Sequence, residues 1–144
     1  MDLTEALLGE HGVLYALFDR MEVLVAEASD VGALRSGFEL LGEALSSHAR
    51  LEEDLLFSLL AQSGPIAVMH SEHELIDERI AELYAAKTLP QARAAFAALA
   101  SVTRDHLAKE EAILFPVAQS TLRASGQLDD NLRHWGRLRG VAVA

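Results

Sequence analysis

The sequence predicts an all-α fold, an antiparallel up-down-up-down four-helix bundle with a short fifth helix at its C-terminal end. Three observations carry that expectation. The 144 residues are 51% hydrophobic but only 6% aromatic, a composition suited to packed amphipathic helices. Apolar residues recur at intervals of three and four along four long stretches. Short connections bearing Ser, Gly or Pro separate those stretches, which makes consecutive helices antiparallel neighbours.

Asp2 and Glu5 are spaced as a capping box, and Leu7, Leu14, Phe18, Met21 and Val25 follow on one face of a first helix that ends near Ala28. Ser29 or Asp30 caps a second, unusually long helix with Leu34, Phe38, Leu41, Leu45, Leu55 and Leu59 on its face, broken by Ser63, Gly64 and Pro65. Pro65 suits the first turn of a third helix, which carries Ile66, Met69, Ile76, Ile80 and Leu83 and stops before Thr88. The fourth carries Ala92, Phe96, Leu99, Thr103, Ile113 and Val117, with Pro116 expected to kink or end it. Beyond Ser125 and Gly126, Leu128, Leu132, Trp135 and Leu138 make one apolar stripe. The domain division is therefore a bundle over 1–124 and a capping helix or tail over 125–144. That tail caps the bundle or mediates an oligomer contact, leaving a redox partner or a second copy of the chain as its candidate partners.

Twelve basic against 22 acidic side chains give a net charge of −10, and the basic residues form no stripe, so nucleic acid is not an expected partner. With no cysteine, disulfides, zinc-thiolate sites and iron–sulfur ligation are excluded, and any metal must be held by imidazole and carboxylate. The N-terminus lacks the basic start of a signal peptide and no apolar run approaches the ~18 residues of a membrane span. A cytoplasmic location without membrane association is the expectation.

The informative residues fill the gaps in the apolar seams. Position 11 in the first seam is His11; in the second, 48 and 52 are His48 and Glu52; in the third, 73 is His73; in the fourth, 106 and 110 are His106 and Glu110. Burying one unpaired polar group costs ~1–3 kcal/mol, so six would strain a domain stable by only ~5–15 kcal/mol unless they share a partner. Metal cations provide one, because imidazoles donate lone pairs and glutamates supply charge and can bridge two ions. The order also repeats. His11 precedes His48-x-x-x-Glu52-Glu53 and Leu56-Phe57, as His73 precedes His106-x-x-x-Glu110-Glu111 and Leu114-Phe115. Spacing by four puts the imidazole and carboxylate of each pair on adjacent turns of one face, so two helix pairs related by a pseudo-twofold suit a two-metal site.

This ordered set resembles the hemerythrin-like family, also called the HHE cation-binding domain, over roughly residues 5 to 120. The resemblance implies a four-helix bundle around a non-haem di-iron centre, oxo- or hydroxo-bridged, that takes dioxygen or nitric oxide as its ligand. The pattern departs from the oxygen-carrying hemerythrins, which have His-x-x-x-His on the third helix and His-x-x-x-x-Asp on the fourth. Here those helices offer His70-x-x-His73 and Glu110, closer to the broader bacterial branch linked to oxygen, nitric oxide or iron sensing and handling. The ligands implied are His11, His48, Glu52, His70, His73, His106 and Glu110. His70 is the ambiguous one, since the strict seam takes Met69. If His70 ligates, one iron is filled and the other open; if it does not, both keep an exchangeable position, which suits redox or peroxide chemistry better. Catalysis is not required, and an enzymatic role would be that of a di-iron oxidoreductase, reducing peroxide or donating iron to damaged clusters. A third use is a metal-stabilised interaction module acting through the tail.

Other polar residues have plainer readings. Glu53 and Glu111 lie ~100° around their helices from the seam and are expected to be solvated or salt-bridged, with support of the ligands as the alternative. Tyr15 is expected as a packing aromatic and Thr103 as a hydroxyl bonded to its own helix backbone. The ferritin-like alternative needs Glu-x-x-His, and none of the six histidines has a glutamate three positions before it.

Overall fold

The computed structural model describes residues 1–61 and 63–143, among which there is no strand. Helix α1 spans Leu3–Glu27, α2 Arg35–Leu55, α3 Gly64–Ala85, α4 Leu89–Lys109, α5 Phe115–Leu122 and α6 Gln127–Arg139. The start signals act as their chemistry dictates. Asp2 accepts from the Thr4 and Glu5 amides while Glu5 accepts from the Asp2 amide at 2.7 Å, closing the capping box. Asp30 accepts from the Ala33 amide at 3.0 Å, Thr88 caps α4, and Pro65 and Pro90 sit in first turns. Among the described residues, no helix is long and apolar enough to cross a membrane.

The second helix is shorter than its seam suggests. A 3₁₀ turn at Val31–Leu34 precedes it, it ends at Leu55, and a second 3₁₀ turn covers Phe57–Leu60. The fourth departs more instructively. Pro116 has no amide hydrogen, and instead of ending the helix the chain makes a π turn over Glu110–Leu114, with the Phe115 amide bonded to the Glu110 carbonyl. The wider turn shifts the buried face by one position. Leu114, Phe115 and Ala118 go inside, and Ile113, expected in the seam, is 48% exposed.

The long helices form a ring in which α1 meets α2 and α4, and α3 meets α2 and α4. Two apolar cores fill it. One gathers Phe18, Phe38, Phe96, Leu41, Leu83 and Leu99; the other gathers Leu3, Leu7, Leu56, Phe57, Leu114 and Phe115. The polar seam residues form a waist between the two. Helix α6 closes the second core with Leu128 and Leu132, and its Asn131 donates to the Leu55 carbonyl, whereas Leu138 is 57% exposed and lies outside the expected stripe.

In the first core the Phe96 ring stands 6.0 Å from Phe18 and stacks on Phe38 at 6.4 Å. Phe96→Ala is expected to lower unfolding free energy by about 3–5 kcal/mol in urea titration, and a loss below about 1 kcal/mol would contradict this packing.

Candidate metal centre

Each seam position delivers its side chain to the waist because the helical period returns it to the bundle axis. His11, Glu52 and Glu110 are fully buried, and His48, His73 and His106 are at most 5% exposed. They form two overlapping clusters, His11, His48, Glu52 and Glu110, and Glu52, His73, His106 and Glu110, with the donor atoms of each within 4.8 Å of one another. Glu52 and Glu110 belong to both. Glu52 Oε2 lies 3.4 Å from His73 Nε2 and 3.8 Å from His48 Nε2. Glu110 Oε1 lies 3.1 Å from His106 Nε2 and 3.5 Å from His11 Nε2.

The approach of these atoms is not hydrogen bonding. Nε2 of His11, His48 and His106 and both carboxylate oxygens of Glu52 and Glu110 are buried with no hydrogen-bond partner. Lone pairs left convergent in this way are what a cation requires, and the set of two imidazoles and two shared carboxylates per cluster fits a pair of divalent or trivalent ions. A carboxylate bridging each gap would hold both ions.

A second set of carboxylates lies behind the histidines. His48 Nδ1 donates to Glu10 at 2.8 Å, His73 Nδ1 to Glu53 at 2.7 Å, and His106 Nδ1 to Glu72 at 3.2 Å; Glu111 lies 3.6 Å from His11 Nδ1 and accepts from the Tyr15 hydroxyl at 2.7 Å. An ionised carboxylate can only accept, so at His48, His73 and His106 it holds the proton on Nδ1 and leaves Nε2 as the free lone pair facing the waist. Two of these carboxylates are themselves gripped, Glu10 by Arg139 of α6 and Glu72 by Lys109. Although burial opposes it, the hydrogen bonds of His48 and Arg139 hold Glu10 below the usual carboxylate range, and those of Lys109 and His106 do the same for Glu72.

The contacts obey the repeat seen in the sequence. Glu53 serves His73 as Glu111 faces His11, and Glu10 serves His48 as Glu72 serves His106. Glu53 is thus salt-bridged and at the same time supports a histidine, Glu111 stands beside His11, and Tyr15 hydrogen-bonds to Glu111 at the centre's edge. Glu10 and Glu72 escaped the seam reading, although each directly precedes a seam histidine, the one signal that marks them.

His70 is not brought to the clusters. Met69 takes the seam and is 2% exposed, while the His70 side chain is 50% exposed, edge-on to Phe57, with Nδ1 3.7 Å from Glu53. One residue past the seam is ~100° around the helix, which turns the imidazole outward.

A family model of the hemerythrin HHE cation-binding domain matches residues 2–132. The chain belongs to that family. No curated protein and no solved structure matches it. The match runs into α6, so the hemerythrin HHE domain here takes in the first half of the C-terminal helix as well as the bundle.

Charge in this waist sets a pH dependence. Burial, with the Glu110 charge beside it, pushes Glu52 up to about 8 from an ordinary 4.5. Burial alone would lower His73, but Glu52 and Glu53 raise it to about 9 from 6.5. Both groups hold protons more tightly folded than unfolded, so the metal-free chain loses stability as pH rises between the two sets of values. A cation must displace those protons, so metal affinity rises over the same window. The expected result is a metal-free melting temperature that falls from about pH 6 to about pH 9 while metal affinity, titrated in parallel, increases. A metal-free protein that grows more stable over that range would contradict this charge arrangement.

Proposed function

We propose that this hemerythrin HHE domain is a non-haem di-iron protein that binds or senses dioxygen or nitric oxide. The observation that supports it is the sharing of Glu52 and Glu110 between two His₂Glu₂ clusters. Iron held by two imidazoles and the two shared carboxylates would have room for a small ligand, and imidazole with carboxylate suits iron among the metals a cysteine-free chain can hold. Bound iron supplies redox activity and affinity for diatomic ligands. The chain supplies the rest. Nδ1–carboxylate pairs orient the imidazoles, Phe57 and Phe115 pack at 5.1 Å on His73 and 5.2 Å on His11 to exclude water from one side, and the two apolar cores keep the waist dry.

The position of His70 favours a second reading. With His70 outside the clusters, neither cluster would offer a third imidazole, and the two offer the same set of donors. That equivalence suits a centre that turns over peroxide. Reversible ligand titration without turnover supports the first reading; peroxide-dependent turnover supports the second.

Anaerobic loading with ferrous iron is expected to give two irons per chain, and admission of air or nitric oxide a new near-ultraviolet band. His106→Ala should bind markedly less iron than the parent, whereas His70→Ala should retain near two. Equal iron loss in both variants would place His70 among the ligands and overturn the arrangement described.

A further inference from the structure

The repeat that orders this centre is broken at one position that touches it. Leu45 precedes His48 by the same three residues by which Thr103 precedes His106, so a leucine and a threonine occupy matching places on α2 and α4. Both line one small cavity, of about 10 Å³, together with His48, His73 and His106. That is roughly the room one water molecule needs. The cavity opens against histidines of both clusters and is bounded by α2, α3 and α4, away from His11, whose ring packs on Phe115.

Thr103 is fully buried, and its Oγ1 has no hydrogen-bond partner. A helical threonine ordinarily returns its hydroxyl to the backbone one turn earlier; here it does not. An orphaned buried hydroxyl costs stability that an alanine or valine at the same site would not, and no other side chain of this cavity offers a neutral donor. Leu45, Ile76 and Leu107 are apolar, the three imidazoles direct Nδ1–H to carboxylates, and Asp77 is a carboxylate.

We propose that Thr103 is the residue that selects the ligand of this centre, its hydroxyl donating a hydrogen bond to the polar end of a diatomic or small anionic ligand seated in the cavity. The proposal rests on the di-iron reading and deepens it. It assigns ligand entry to the α2–α3–α4 side and predicts that ligands with an electron-rich terminal atom are favoured over those without one. Carbon monoxide, a poor acceptor, gains nothing from the hydroxyl.

The test uses azide as probe on the full-length, iron-loaded protein. Thr103→Val keeps the shape and removes the hydroxyl; Thr103→Ser keeps the hydroxyl and removes a methyl. Thr103→Val is expected to weaken azide binding about tenfold, equivalent to ~1.4 kcal/mol, and to abolish the shift of the azide stretching band on transfer to heavy water, while Thr103→Ser retains both. Metal content should remain at the parent value, and the metal-free Thr103→Val protein should melt no lower than the parent, because it loses an unpaired buried hydroxyl. Should Thr103→Val misfold, Thr103→Ala carries the same expectation for azide. Unchanged azide affinity and an unchanged isotope shift in an iron-loaded Thr103→Val protein would overturn the assignment of Thr103 alone. Failure of the parent to load iron or bind azide would overturn the di-iron reading together with it.

Discussion

Two glutamates facing one another in the dry middle of a helical ring are the constraint on which the structure depends. Glu52 and Glu110 are both fully buried, and no arginine or lysine lies in the seam beside them. Two such carboxylates cannot both be ionised in an apolar interior without positive charge between them, and replacing that charge by protons leaves Glu52 neutral and His73 charged. The four histidines converge on the gap with their Nε2 atoms, and the apolar cores above and below keep water from doing the same service. A fold built for stability alone would fill this waist with leucine. That it is filled with six polar side chains means the cation is part of the folded state's energetics, and metal binding and folding are linked.

Around that pair, the outer carboxylates turn three flexible imidazoles into oriented donors, and a fourth carboxylate lies beside His11. Each outer glutamate reaches a histidine on another helix: Glu10 of α1 to α2, Glu53 of α2 to α3, Glu72 of α3 to α4, and Glu111 of the π turn to α1. A carboxylate–imidazole contact thus crosses every interface of the ring at the level of the site. Arg139 extends the chain of contacts to α6 through Glu10 and Ser47, so the C-terminal helix both caps the second core and steadies one histidine. The near symmetry also makes departures from it meaningful, and Thr103 opposite Leu45 is such a departure.

The six inward residues were legible in the sequence because a helix buries one face at a fixed period, and a polar residue at a buried phase stands out against leucines. What a single helix cannot reveal is which neighbour lies across the groove. Glu10 and Glu72 sit one position off the seam, where a wheel projection shows a flank; only the adjacent helix, bringing an imidazole to that flank, makes them supports. The same limit applies to Glu53, Glu111 and Tyr15. Pro116 announced a disturbance, but whether a proline ends a helix or widens one turn depends on whether the following residues have apolar surface to meet. Leu114, Phe115 and Ala118 do, against Leu3, Leu7 and α6, and the buried register moved to accommodate them. His70 lost its place for a comparable reason: Met69 fills the seam, and the adjacent residue faces outward.

The most direct measurement is an anomalous difference map at the iron edge from crystals of the iron-loaded protein. Two peaks about 3.5–4 Å apart are expected, with Glu52 and Glu110 touching both, His11 and His48 at one, and His73 and His106 at the other. A single peak, or a peak drawn toward His70 with either glutamate left unliganded, would contradict this arrangement.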